Sequence, residues 1–233
     1  MRIGITLPHF GALSVTKMAK AAEDTGIDGV FVFDHLWPVA QPQMPALSPF
    51  VVLGEVAATT GSIYVGSLVA RIGKIPNQLL LAQFSTLNLI APGRVIAGLG
   101  LGDELTREEN RRYGIPWQNR KERLLSLGWC IEKLTNFGIP CWVGGYSSDI
   151  QQIALGHSAA INLWDLPLAE LKKLEGKIEI GSPSETTWAG PIRGTASQAS
   201  DTLRLLRDTG FTWCVWAWPS SIKKVAEAIE FLR

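Results

Sequence analysis

The residues able to do chemistry stand directly behind short apolar runs. Asp34-His35 follows Val30-Phe31-Val32-Phe33. A run that is apolar at every position suits a strand covered on both faces, so the pair should emerge at that strand's end. An imidazole can take or give a proton near neutral pH; alternatively, Asp34 caps the following turn and His35 packs. His9 follows the run at 3–7 in the same way. Gly144-Gly145-Tyr146-Ser147-Ser148 lies between a strand-like and a helix-like stretch. Glycines there let a phosphate approach backbone N–H groups, with serine hydroxyls and a helix N-terminus adding donors and positive potential. A tight turn needing glycine only for its dihedral angles gives the same pattern. Trp37, Trp164, Trp216 and Trp218 also fall behind apolar runs. Indoles around a few polar groups suit a flat, conjugated ligand, or else they cap strand ends. In Gly98-x-Gly100-x-Gly102-Asp103, glycines on one face leave room for a ligand or for neighbouring backbone. The spacing is not GxGxxG, because Asp103 stands three beyond Gly100.

Other chemistries find less material. His9, His35 and His157 form no HxH or HExxH pair, and no GxSxG elbow is present. Glycoside hydrolysis needs two facing carboxylates, for which Asp34, Asp103, Glu104 and Asp165 are the candidates. Cys130, Cys141 and Cys214 are scattered, which fits a reducing cytoplasm better than a disulfide scaffold. The 233 residues carry 22 basic and 21 acidic side chains, for a net charge of +1. That balance argues against a nucleic-acid partner. The apolar stretch 79–101 is interrupted by Gln83, Ser85, Asn88, Pro92 and Arg94, so it predicts no membrane span. The run at the N-terminus is too short for a signal peptide.

These residues need a frame that brings strand ends together, and the chain alternates accordingly. Strands are expected at 3–7, 30–33, 63–69, 95–99, 141–143, 160–164 and 211–216, with one more at 177–180 or 186–189. Helices are expected between them. The first is capped by Ser14, carries Val15, Met18, Ala19 and Ala22 on one face, and ends at Gly26. The others are at 53–60, 78–90, from an Asn119 cap to 136, 148–155, 168–174, 199–208 and 222–232. Eight βα units of about 29 residues predict a parallel, closed (β/α)8 TIM barrel, one domain over 1–233. An open doubly wound sheet is the alternative, but its first turn should carry dinucleotide-binding glycines, and Pro8-His9-Phe10-Gly11 does not. A barrel gathers all of these strand ends at one mouth.

The ordered series Arg2-Ile3-Gly4-Ile5-Thr6-Leu7-Pro8, Gly29 through Asp34-His35-Leu36-Trp37-Pro38, Val65-Gly66-Ser67-Leu68-Val69, Pro92-Gly93-Arg94 through Gly102-Asp103, Glu109-Asn110 and Pro140-Cys141-Trp142-Val143-Gly144-Gly145 resembles the luciferase-like monooxygenase superfamily. The likeness is strongest to its flavin- or coenzyme F420-dependent oxidoreductases and covers most of the first 165 residues. It implies the same barrel and an F420- or FMN-dependent oxidoreductase or monooxygenase, with F420 favoured, acting on a small molecule. It implies His35 and Asp103 in catalysis, with Asp34 and His35 beside the reactive ring. It also implies a non-prolyl cis peptide at Leu68-Val69 behind that ring, and cofactor phosphate at Gly144, Gly145 and Ser147. His9, Trp37, Trp164, Trp216 and Trp218 would form the substrate pocket. Two copies would pair through helices of the second and third units. The segments 129–140 and 164–188 are compressed relative to the family. A flavin- or F420-binding protein without turnover on the same barrel is the alternative function.

Overall fold

The computed structural model of the chain describes residues 1–10, 15–38, 41, 44–174, 185–219 and 221–231. Its strands are β1 (Arg2–Thr6), β2 (Gly29–Val32), β3 (Tyr64–Ser67), β4 (Ala70–Arg71), β5 (Val95–Gly100), β6 (Cys141–Gly144), β7 (Ala160–Trp164), β8 (Thr186–Pro191) and β9 (Trp213–Ala217). All pair in parallel, in the order β3-β2-β1-β9-β8-β7-β6-β5-β4, and β3 also pairs with β5, closing the ring. β3 and β4 are halves of one barrel strand. Gly66 pairs with Ile96, and Ala70 with Leu99. Four residue steps thus face three, so one extra residue bulges out there. The Leu68-Val69 peptide inside the bulge is cis. The result is the expected (β/α)8 barrel. Thr186–Pro191 supplies the strand that the sequence left between two positions, while 177–180 and the Ser14 cap lie outside the described residues.

The connecting helices are α1 (Val15–Asp24), α2 (Pro49–Thr59), α3 (Asn77–Ile90), α4 (Glu104–Arg112), α5 (Arg120–Asn136), α6 (Ser148–Gly156), α7 (Leu168–Leu174), α8 (Ala196–Thr209) and α9 (Ile222–Glu230). Local chemistry explains several ends. Asn119 and Glu122 form a reciprocal capping box at α5, as do Thr195 and Gln198 at α8. Gly26, Gly138 and Gly210 take the left-handed conformation just past α1, α5 and α8. Helix α2 begins earlier than its apolar pattern suggests, because Pro49 suits a first helical position. Helix α4 was not legible at all: ELTREENRR has no apolar stripe. Among the described residues, no helix is long and apolar enough to cross a membrane.

Two layers of core follow from strand alternation. One lies between the strands and the helices. The other fills the barrel itself, where Phe31 stacks on Trp142 at 5.0 Å, and Trp213 meets Trp142 at 5.3 Å and Tyr64 at 5.6 Å. The Arg2 guanidinium lies over Tyr64 at 4.9 Å. Small residues face these rings: a Cβ on Gly4 would come within 2.9 Å of Phe31, and one on Gly29 within 2.9 Å of Trp213. The lower barrel is therefore full, and open space remains at the C-terminal ends of the strands.

Candidate active site

A cleft of about 760 Å³ opens at that end of the barrel. It is lined by His9 after β1, by Asp34 and His35 after β2, and by Leu68 and Val69 at the bulge. Asp103 follows β5, and Gly144, Gly145 and Ser147 follow β6. Trp164 and Trp218 come from the ends of β7 and β9. The barrel thus brings most of the expected residues to one surface.

Two tryptophans are exceptions. Trp216 is 1% exposed and belongs to the core between strands and helices. The reason is parity: on β9, Val215 faces the barrel interior, so its neighbour Trp216 faces the helices. Trp37 is also buried and lies outside the cleft lining. Its ring packs 6.0 Å from Tyr113, with the Arg112 guanidinium 5.3 Å from its centroid. The unanticipated α4 covers it.

The central feature is a buried carboxylate that sequence reading passed over. Glu109, 2% exposed on α4, meets the His35 Nδ1 at 2.6 Å. Its other oxygen accepts from the Leu36 amide at 3.0 Å and from the Arg71 guanidinium at 2.9 Å. Burial alone would raise the Glu109 carboxyl. The His35 and Leu36 hydrogen bonds and the His35 and Arg71 charges outweigh it and hold the group below its ordinary range. An ionised carboxylate only accepts, so the imidazole proton is assigned to Nδ1. In the neutral ring Nε2 is then the proton acceptor. The only sequence-level signal for Glu109 was its place in the family-like series; nothing in its local spacing marks it.

Around this pair several polar groups have defined partners. Arg71 also donates to Thr106 O at 2.7 Å, tying α4 to the barrel. Asp34 accepts from the Arg71 amide at 2.8 Å and pairs with Lys74, so both its oxygens fix the wall of the cleft. Asp103 lies on the rim, but its carboxylate accepts from the Thr106 amide at 2.9 Å in a capping box that starts α4. Glu109, six residues on, is the carboxylate that reaches His35. Phe33 stands between three rings: His9 at 5.4 Å, His35 at 6.3 Å and Trp164 at 5.6 Å. Burial and the neighbouring His35 lower the His9 pKa.

The glycines noted in the sequence make room for protein. A Cβ on Gly98 would collide with Ser67 O, and one on Gly100 with the Val69 side chain. A Cβ on Gly144 would meet Val69 at 3.2 Å. The bulge is thus nested against three glycines on β5 and β6. Gly145, with φ +128°, leads into Ser147, the N-cap of α6. Arg120 reaches over the same turn, donating to Ser147 Oγ at 3.0 Å and, through two nitrogens, to Asp149 at 2.8 Å each.

Comparison with known proteins agrees with this architecture. The F420-dependent secondary alcohol dehydrogenase solved with an F420-acetone adduct superposes with a TM-score of 0.79 over 100% of both chains, at 13% identity, and so shares the fold. The F420-dependent glucose-6-phosphate dehydrogenase of Nakamurella multipartita is 34% identical over 122 residues, 51% of this chain and 34% of the relative. Its counterpart from Beutenbergia cavernae is 35% identical over 139 residues, 54% of this chain and 40% of the relative. The matches thus span about two fifths or less of these curated relatives. The family model described as luciferase-like monooxygenase matches residues 3–127, more than half of the sequence, and the chain belongs to the luciferase-like monooxygenase family.

Proposed function

We propose that the chain is an oxidoreductase that exchanges a hydride between a small molecule and coenzyme F420 held at the C-terminal mouth of the barrel. The observation that carries this reading is that His35, oriented by Glu109, opens onto the same cleft as the Gly144-Gly145 backbone. The names of the curated relatives favour F420; FMN is the alternative for the same cleft. The residues fit such a molecule. Gly144 and Gly145 line the cleft as bare backbone, and the α6 N-terminus with Ser147 suits a phosphate. Leu68 and Val69 would back the ring.

When bound, the coenzyme supplies the two-electron acceptor for the hydride of a substrate carbon. The chain's own part is proton handling and placement. His35 Nε2 takes the proton of the substrate hydroxyl, and the imidazolium that results is stabilised by Glu109, itself anchored by Arg71. Phe33 and Trp164 exclude water from one wall. We assign Asp34 and Asp103 to holding that wall and α4 rather than to proton transfer.

The test is titration of the purified chain with F420 and FMN, followed by single-turnover hydride transfer. His35→Ala should retain F420 binding and lose roughly 10²–10⁴-fold in rate. Affinity for neither cofactor refutes the proposal; tight binding with no transfer from any donor favours a binding protein instead. We further propose that copies pair through α2 and α3, where Val51, Leu79, Leu89 and Ile90 are exposed beside a shallow groove holding the unpartnered Gln83 Oε1. Leu89→Glu should then yield monomers in sedimentation velocity, and an unchanged sedimentation coefficient would refute that pairing.

A further inference from the structure

Among the described residues, the cations lining the cleft, Arg71 and Arg120, and Lys74 and Arg193 beside it, each have a carboxylate, while Arg123, outside the lining, is bound to Leu101 O and lies over Trp117 at 4.0 Å. Arg71 is bound to Glu109 and Lys74 to Asp34. Arg193 holds Asp165 through two nitrogens at 2.7 and 2.8 Å. Arg120 is committed to Asp149 beside the Gly144-Ser147 turn. Of the stretches outside the described residues, 11–14, 39–40, 42–43 and 220 contain no Lys or Arg, whereas 175–184 and 232–233 contain Lys177 and Arg233. With the cations of the described residues, seating a phosphate or carboxylate beside Phe33 and Trp164 would require breaking a buried or bidentate ion pair. The same pairing leaves Asp34, Glu109 and Asp165 without free charge for an ammonium group, and the Asp103 carboxylate at the rim is engaged in capping α4.

Arg71 Nε is unpaired, but the other guanidinium nitrogens of that residue are bound; His9 has no partner on either ring nitrogen. Both ring nitrogens of His9 are buried without a hydrogen bond, although the residue lines the cleft. The rings packed perpendicular to it are Phe10 at 5.1 Å and Phe33 at 5.4 Å, which offer it nothing polar. Buried polar atoms normally find partners, so an unpaired one at a cleft wall points to a ligand atom. A neutral imidazole has one donor and one acceptor, a match for a hydroxyl or a carbonyl and a poor match for a charged group.

Resting on the oxidoreductase reading above, we infer that the cleft takes an uncharged, largely apolar substrate bearing a hydroxyl or carbonyl oxygen, and that His9 binds that oxygen. Sugar phosphates, the substrates in the names of the curated relatives, do not suit this cleft.

The experiment uses the full chain with histidine ring nitrogens labelled for NMR and three probes sharing one ring: cyclohexanol, cyclohexanecarboxylate and cyclohexyl phosphate. Cyclohexanol should bind and shift the His9 ring signals, and both anions should bind at least about tenfold more weakly. His9→Phe should keep or raise Tm, since the nitrogens removed had no partner, while weakening cyclohexanol roughly tenfold; His9→Gln should recover part of that loss. The inference is overturned if either anion binds as tightly as cyclohexanol, if none of the three binds, or if cyclohexanol leaves the His9 signals unmoved. That last result needs no variant to fold. F420 titrated into the same sample separates the two readings. Failure of F420 to bind strikes the oxidoreductase proposal while the alcohol site stands on its own shifts; F420 binding without discrimination among the probes strikes this inference alone.

Discussion

Replacing Glu109 with Gln should destabilise the chain by about 3–5 kcal/mol, the usual cost of leaving one member of a buried ion pair alone. Its two oxygens face three donors, from His35, Leu36 and Arg71. An amide has one accepting end, so His35 or Arg71 loses its partner. Arg71, 3% exposed, keeps its charge without a counter-ion. In a chain of this length each kcal/mol moves Tm by about 2–4 °C, so a fall of roughly 6–20 °C is expected. Urea unfolding followed by tryptophan fluorescence would read the same loss. The double variant Arg71→Met/Glu109→Gln removes both charges and should be more stable than the sum of the single effects by at least about 0.5–3 kcal/mol. The acid limb carries the sign. Because the carboxyl lies below its ordinary value of 4.5 in the fold, its contribution is complete above that pH and disappears as pH falls further. Glu109→Gln should flatten that limb. A loss within about 0.5 kcal/mol of wild type, or strict additivity with Arg71→Met, would refute the view that this carboxylate anchors α4 and orients His35.

Gly98→Ala should cost about 1–3 kcal/mol in unfolding free energy, because the new methyl collides with Ser67 O at the bulge; an unchanged urea midpoint would show that the bulge yields freely. Trp216→Ala should cost about 3–5 kcal/mol as a core truncation, whereas Trp164→Ala, at a residue 52% exposed, should spare Tm and weaken ligand binding; the reverse ranking would invalidate the assignment of the two faces. Burial raises the Glu23 carboxyl, but hydrogen bonds from Ser62, Ile63 and Gly61 outweigh it and hold the group at about 2. Glu23 therefore stabilises fully above pH 4.5 and loses its effect between 4.5 and about 2, a contribution under about 1 kcal/mol after solvent screening; Glu23→Gln should remove that dependence in acid titrations of stability. Burial pushes the Cys130 and Cys141 thiols up to about 12, so Ellman's reagent should label neither until the chain unfolds.

The alternation of strands and helices was legible because strands covered on both faces must be apolar throughout, as at Val30 to Val32. Membership of the mouth follows from the barrel rule, which alone places His9, His35 and Gly144-Gly145 together. Orientation within a strand was harder to read. WCVWA is buried at every position, so no polar alternation told which face of β9 held Trp216. Helix α4 escaped because its buried residues are Thr106, Glu109 and Asn110, fixed by hydrogen bonds rather than by an apolar stripe. Glu109 was hidden with it, since a carboxylate's partner 74 residues away leaves no local mark. The Gly98-Gly100 alternation signalled missing bulk correctly, but whether a ligand or a backbone fills the gap is settled only by the path of residues 67–69.

The packed rings of Phe31, Trp142 and Trp213 across the barrel give the cup a closed floor. Whatever enters must depart through the doorway it came by. Two guests sharing such a vessel are therefore constrained in sequence: the one seated deeper arrives first and goes last.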